Sequence, residues 1–238
     1  MTEDAYTGTG NLEAMAEAVR YNAFLENLVR SHAPLSGGRG IAVDFGAGIG
    51  TFSGVLGDAP ARLICVETDP DQAQRLRDRG FETATLPDIA DASVDFVFSL
   101  NVLEHIADDR AILAELFRIL KPGGRLFLYL PAFTVLWSAM DDLVRHYRRY
   151  TRGMLMERLQ GAGFAVRRTA YADSAGFFAT LAFKMLRRGQ AADGRLARGP
   201  LILFDRYAFP VGRLLDRLGM QYLLGKNVWA VAERPPQA

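Results

Sequence analysis

Glycine recurs at every second position in Val43-Asp44-Phe45-Gly46-Ala47-Gly48-Ile49-Gly50-Thr51, directly after an apolar run. Glycines at the end of a strand let the backbone turn tightly and approach a ligand closely. The spacing discriminates between ligand classes. A dinucleotide fingerprint needs its third glycine five positions after the first, where this chain has Thr51, and that departure counts against NAD. No Gly-Lys-Ser/Thr follows, so the loop is not a phosphate-gripping Walker loop. The second signal is Ile64-Cys65-Val66-Glu67-Thr68-Asp69-Pro70, an acid closing the next apolar run. A carboxylate there can accept both ribose hydroxyls of an adenosine ligand. Glu67 is the first candidate and Asp69 the runner-up. Either motif alone is weak; at this spacing the two specify an adenosine-type nucleoside site.

Other chemistries find less support. Asp108-Asp109 fits a helix N-terminus and Asp141-Asp142 a turn, so no acidic cluster reads as a magnesium site. The single cysteine, Cys65, rules out a disulfide framework and a cysteine-based zinc site; in mid-strand it reads as a small buried apolar residue. The expected state is metal-independent. Arg145-His146-Tyr147-Arg148-Arg149-Tyr150-Thr151-Arg152 interleaves bases and aromatics as single-strand binders do. Against nucleic acid stand the missing RNA-binding domain, the missing Asn/Asp-Pro-Pro-Tyr/Phe tetrapeptide and a pI of about 7.9.

The elements that must position these residues alternate along the chain. Asn11–His32 spaces Leu12, Met15, Val19, Phe24, Leu25, Leu28 and Val29 as an amphipathic helix. Short apolar runs follow at Ile41–Phe45, Leu63–Glu67, Val94–Leu100 and Leu126–Leu130, with helical patterns at Thr51–Leu56, Asp71–Arg79 and Asp109–Leu120 between them. Lys121-Pro122-Gly123-Gly124 reads as a stop and turn. After Tyr150, Thr151 caps a helix to Gln160, Phe164–Ala170 and Asn227–Ala232 read as strands, and 172–225 as a helical excursion broken by a loop at Arg188–Pro200. Continuous apolar strands separated by helices predict a doubly wound α/β fold with a parallel sheet covered on both faces. The 238 residues read as a single domain with an N-terminal helix (1–36), a cofactor-binding core (37–171), a helical insertion that is either an acceptor cap or plain packing (172–225) and a last strand with tail (226–238).

Composition agrees with a folded soluble chain: half of the residues are apolar and 23% charged. No apolar stretch reaches the roughly 18 residues that span a bilayer, the N-terminus lacks signal-peptide character, and sparse cysteine fits a reducing, cytoplasmic setting. The net charge of +1 hides an asymmetry, because residues 1–120 carry 9 Lys/Arg against 19 Asp/Glu and the remainder 19 against 8. Either the halves neutralise each other or the C-terminal side meets an anionic ligand.

The blocks G-A-G-I-G, V-E-T-D, S-V-D-F-V-F-S-L-N-V-L-E-H-I and L-F-R-I-L-K-P-G-G-R-L resemble the ordered motifs of class I S-adenosylmethionine-dependent methyltransferases over about residues 40–131. P-A-F…H-Y-R-R-Y-T-R is similar to a bacterial, small-molecule-type branch of that family. The resemblance implies a Rossmann-like seven-stranded sheet with an antiparallel last strand, and S-adenosyl-L-methionine across the ends of the first, second and fourth strands. It implies that Gly46, Gly48 and Gly50 pack on the methionine and ribose portions, that Asp44 orients the loop or the amino group, and that Glu67 holds the ribose. Asp88 and Ile89 would meet the adenine, while Leu100 and Asn101 would line the sulfonium region. His105 sits in the shared L-E-H-I block and reads as architectural. His146, after the fifth strand, is the candidate base, with Tyr147 a weaker one because a phenol titrates near pKa ~10.

Methyl transfer asks mainly for in-line positioning, with a base only where the acceptor loses a proton. The expected function is therefore transfer to the O, N or C atom of a small, anionic or amphiphilic acceptor. The alternatives are an RNA methyltransferase and a non-catalytic cofactor-binding scaffold. The apolar helices at 174–187 and 200–217 offer a peripheral membrane contact or a homodimer face. Arg-rich, Lys-poor usage points to a GC-rich bacterial genome.

Overall fold

The computed structural model describes residues 17–186 and 198–236. After helix α1 (Val19–His32) come β1 (Ile41–Phe45), β2 (Arg62–Val66), α2 (Pro70–Asp78), β3 (Glu82–Ala84), β4 (Val94–Leu100), α3 (Asp109–Ile119) and β5 (Leu120–Pro131). The second half holds α4 (Ala139–Leu143), α5 (Arg152–Gly161), β6 (Ala165–Ala172), α6 (Ser174–Leu186), α7 (Arg198–Leu203), a π-helical turn (Phe204–Ala208), α8 (Phe209–Arg217) and β7 (Asn227–Glu233). Seven strands form one sheet in the order β3-β2-β1-β4-β5-β7-β6. β1 to β5 are parallel, and β7 inserts antiparallel between β5 and β6.

Both faces are buried, so the strands have no polar side to show. Along β5, Leu126, Leu128 and Leu130 join the core under α3 and α5, while Phe127 and Tyr129 face the core under α1. The period-2 pleat thus divides one apolar run between two cores. The order reverses between β1 and β4, which opens a crevice at the carboxyl ends of the strands.

Three local expectations are corrected. Thr51–Leu56 forms consecutive turns closed by bonds such as Val55 N–H to Phe52 O (2.9 Å), not an α-helix; Gly50, Gly54 and Gly57 lower helical propensity there. Lys121–Gly124 is an irregularity inside β5, because Leu120 already pairs with Val94 before Arg125 pairs with Phe96. Lys121 then reaches back to Asp95 (2.7 Å). The helix expected from Asn11 begins at Val19 among the described residues, and Val19 is exposed; Leu12 and Met15 lie outside them. Of the loop read at Arg188–Pro200, residues 188–197 also lie outside, and α7 already occupies Arg198–Pro200. β3 is too short to show as a period-2 pattern.

Two buried carboxylates help to fasten the helical insertion of α6, α7 and α8. Asp216, buried in α8, accepts from the backbone N–H of Asp173 (3.1 Å) and Ser174 (3.2 Å), fixing α6 to the end of β6. Asp205, in the π-helical turn, accepts from Arg20 N–H (3.0 Å) and Tyr21 N–H (2.8 Å), the first turn of α1. That carboxylate satisfies helix-end donors that α1 has no local side chain to cap. Among the described residues, no helix is long and apolar enough to cross a membrane.

Gly225 lies on the backbone of Ala172, where an added Cβ would stand 2.4 Å from the Ala172 carbonyl oxygen. Backbone cannot rotate out of the way, so Gly225→Ala should cost about 2–3 kcal/mol, the overpacking range. The melting temperature should fall by roughly 5–10 °C. A thermal melt unchanged within 1–2 °C would show that the approach is relieved cheaply.

Candidate active site

The Gly46–Gly50 loop leaves β1 and crosses the end of β2. Gly46 and Ala47 donate backbone N–H bonds to Val66 O (2.8 and 3.2 Å). Gly46 has φ +75°, and a Cβ on it would meet Val102 at 2.3 Å; only glycine satisfies both the left-handed turn and that approach. Glu67 pins the loop from the side. Its Oε2 accepts from Gly48 N–H (2.8 Å), and its Oε1 from Thr68 and Asp69 N–H (2.8 and 2.9 Å). Asp69 caps α2, its Oδ1 accepting from Asp71 and Gln72 N–H.

Asp44 is buried under the loop and accepts from Ser53 Oγ (2.7 Å). Burial pushes its carboxyl up to about 7. It therefore ties the turns after the glycines to β1. Asp88 is exposed and bonded to Thr85 Oγ1 (2.6 Å), with the buried Ile89 beside it. Leu100 ends β4, and Asn101 follows with φ +55°, its N–H on Tyr129 O (2.8 Å). Because β1 to β4 are parallel, all of these positions fall on one edge of the sheet. The set suits an adenosyl ligand: a carboxylate beside the crossing point, a buried apolar residue after the turn that follows β3, and a loop whose glycines leave backbone in place of side chains.

A second cluster stands beyond the ends of β4 and β5. The chain after Asn101 makes a single 3₁₀ turn, Leu103–His105, which buries Leu103 and Glu104. From the other side, α4 begins with a capping box in which Asp141 Oδ2 accepts from Ser138 N–H (2.8 Å) and Oγ (3.0 Å). The same carboxylate accepts from Arg149 Nε (2.7 Å) and Nη2 (2.9 Å) and from His146 Nδ1 (2.8 Å). These donors hold it far below the usual carboxylate range despite burial. His105 donates from Nδ1 to Val144 O (2.9 Å). The two imidazoles meet edge to face with centroids 4.5 Å apart. Desolvation, helped by the neighbouring His146, pushes His105 down to about 4, so it is neutral at ordinary pH. Glu104 lies against them, fully buried, with Oε1 3.9 Å from His146 Nε2. Neither of its oxygens has a hydrogen-bond partner among the described residues, and burial pushes it up to about 8.

The structure thus joins His105 and His146, while Tyr147 is 59% exposed and stacks against its neighbour Arg148. The turn expected at Asp141-Asp142 is a helical start, and Asp141 is the hub that the sequence reading missed. Its signal was present as Ser138-x-x-Asp141, a capping-box spacing. The basic-aromatic stretch is largely spent internally. Arg148 donates to Ile106 O and Ala107 O, Arg149 grips Asp141, Arg152 reaches Tyr222 O, and Tyr150 is buried on Asp109 (3.0 Å). Cys65 is fully buried, and burial pushes its thiol up to about 11. A separate hollow of about 260 Å³, lined in part by His32, Arg168 and Arg213, lies on the α1 side of the sheet.

Residues 43–128, the Gly loop through β5, match the model of the methyltransferase domain family. The chain is similar to class I S-adenosylmethionine-dependent methyltransferases. The sheet order is that of the Rossmann-like methyltransferase fold, and S-adenosyl-L-methionine is the cofactor the likeness supports. Among its relatives is a probable S-adenosylmethionine-dependent methyltransferase of Mycolicibacterium smegmatis, 28% identical over 68% of this chain and 66% of that protein. The chain spans less than two thirds of the length of the first curated relatives it matches. In fold it is similar to the putative methyltransferase bound to the Trm112 methyltransferase activator of Haloferax volcanii (TM-score 0.65, 19% identity, 97% and 96% of the two chains). It is also similar to geranyl diphosphate C-methyltransferase of Streptomyces coelicolor (TM-score 0.63, 16% identity, 93% and 82%).

Proposed function

We propose that this methyltransferase transfers the methyl group of S-adenosylmethionine to a proton-bearing heteroatom of a small, amphiphilic acceptor. The observation that carries the reading is the adjacency of two built sites. Glu67 clamps the Gly loop on one side of the crevice, and the Asp141–His146 pair stands past the ends of β4 and β5 on the other. When bound, the cofactor supplies an electrophilic methyl group on a sulfonium, so the protein's work is placement and proton removal. Asp141 accepts from His146 Nδ1, which fixes the tautomer and leaves the lone pair on Nε2. His146 takes the acceptor's proton at that nitrogen, and the Asp141 charge stabilises the imidazolium that results. Glu67 and the Gly loop orient the adenosyl end, with Asp88 and Ile89 at the base and Leu100 and Asn101 nearest the sulfur. His105 packs His146 in place, and Tyr147 lies at the solvent side.

The amphiphilic character is supported by the cap, where Phe178, Phe183, Met185, Leu203, Leu214 and Leu218 are exposed near Lys184, Arg206 and Arg217. Such a surface suits an acceptor with an apolar body and an anionic end, taken from solution or from a membrane surface. RNA methylation draws less support, because the guanidiniums of Arg148, Arg149 and Arg152 are engaged within the protein.

Calorimetric titration tests the cofactor half. S-adenosylmethionine and S-adenosylhomocysteine should bind with micromolar affinity, and Glu67→Ala should lose at least tenfold. Glu67→Gln, which keeps an acceptor for Gly48 N–H, should lose less. Folded protein that ignores both sulfur ligands would favour the scaffold alternative.

A further inference from the structure

We propose that Glu104, His105 and His146 form a binding site for one divalent cation of the zinc type, at the acceptor end of the crevice. Each residue offers one ligand atom, and these atoms lie within 4.8 Å of one another. Two imidazoles and a carboxylate are a donor set that zinc and its borderline neighbours accept, whereas magnesium prefers an all-oxygen shell.

Three further observations point to a cation. The first is Glu104, whose two oxygens are buried without a hydrogen-bond partner among the described residues. A carboxylate taken out of water needs a counter-charge or donors, and the nearest cationic side chain, Arg149, is committed to Asp141. The second is the outer hydrogen bonding. His105 Nδ1 donates to a carbonyl and His146 Nδ1 to a carboxylate, which puts both lone pairs on Nε2 and fixes both rings. Carbonyl and carboxylate partners of this kind orient metal-binding histidines. The third is the charge balance. Glu104 and Asp141 face one guanidinium, leaving an ionised pocket one negative charge in excess around two neutral rings. The 3.9 Å between His146 Nε2 and Glu104 Oε1 exceeds the roughly 3.0–3.4 Å expected between ligands held at about 2.1 Å from zinc. That pair must therefore draw in by about 0.5–1 Å on loading.

The inference departs from the metal-independent expectation and deepens the methyl-transfer reading, on which it rests for the place of the acceptor. Three protein ligands leave a coordination position open. An acceptor hydroxyl taking it would lose its proton to solvent at lower pH, with His146 then a ligand in place of a base.

The test uses the full chain without a histidine tag, stripped by chelator and titrated with Zn²⁺ and with Co²⁺. One equivalent should bind with a Kd in the micromolar range or below, and Co²⁺ should develop the intense visible bands of a four- or five-coordinate nitrogen–oxygen site. Glu104→Gln and His146→Gln should each weaken binding at least 100-fold, while His32→Ala should leave it unchanged. If the substituted chains do not fold, the Co²⁺ spectrum of the unaltered protein still decides, because a hexaaquo-like spectrum overturns the site. Binding that survives both substitutions overturns it as well. Stripped protein that binds S-adenosylhomocysteine but neither metal ends this proposal and leaves the methyl-transfer reading standing. Metal bound without any affinity for the sulfur ligands does the reverse.

Discussion

Asp141→Ala should destabilise the protein by about 3–5 kcal/mol, the cost of removing one partner from a buried ion pair. Asp141 is 1% exposed and Arg149 is 8% exposed, so the guanidinium left behind has no access to bulk water. The substitution also strands the Ser138 donors and His146 Nδ1–H, all of which end on the same carboxylate. Asp141→Asn separates stability from chemistry. Its oxygen, in the place of Oδ2, can still receive Arg149 Nη2 and the Ser138 donors, but an amide NH₂ in the place of Oδ1 loses the bond from Arg149 Nε and, facing His146, would reverse the imidazole tautomer and take the lone pair from Nε2. That variant should be less destabilised than Asp141→Ala, because the Ser138 donors and Arg149 Nη2 keep an acceptor, and should lose about 10²–10⁴-fold in kcat, the scale of a general-base contribution. Urea titration and turnover with a methyl acceptor read the two effects separately. An Asp141→Ala protein within 1 kcal/mol of the parent would remove Asp141 from its central place.

The metal-free chain should lose stability as pH rises from about 5 to about 8. Glu104 is pushed up to about 8 and Asp44 to about 7, each chiefly by burial. Between their ordinary values and these, the folded chain holds protons that the unfolded chain has released. Folding then binds protons, and stability falls with increasing pH. Two groups act in the opposite direction: Asp141, whose carboxyl is held low, makes a contribution that disappears only in strong acid, and His105, pushed down to about 4, adds stability as pH rises toward its ordinary value of 6.5 but does not offset both carboxyls. Greatest stability is expected near pH 4.5–5. Glu104→Gln should flatten the slope and raise stability at pH 8 by on the order of 4 kcal/mol, since a neutral amide replaces a charge with no counter-ion beside it. Thermal melts across pH 4.5–8.5 in chelator-treated buffer provide the check. A profile that rises toward pH 8 would mean that Glu104 is solvated or paired in solution.

The Gly-loop side of the candidate site was legible in the amino-acid sequence because its signals are local. Gly46, Gly48 and Gly50 follow a strand within five residues, and Glu67 closes the next. Parallel pairing then brings them to one edge without any further information. The histidine cluster of the candidate site was legible only in part, because its members meet across some 40 residues. His105 and His146 announce themselves by type, but Asp141 looks like any turn acid until α4 starts on it, and Glu104 resembles a surface residue until the 3₁₀ turn buries it. Basic density misled in the other direction. Arg148 and Arg149 looked available to a polyanion, whereas their planar guanidiniums are satisfied by carbonyls and by Asp141. The turns at Thr51–Leu56 show the same limit, since apolar spacing does not count the entropy that glycine adds to a helix.

The two bonds from Asp205 to the start of α1 also set an order of events during synthesis. They join residues 185 and 184 positions apart, so the carboxylate that caps α1 emerges long after the helix itself. At roughly 5–20 residues per second, α1 waits about 10–40 s on the ribosome for its cap. During that interval Leu25 and Val29 lack β5 and β7 to cover them as well. The nascent chain therefore carries a sticky, frayed helix until its last third arrives, and closure of the cap is also the moment at which the beginning of the domain becomes stable.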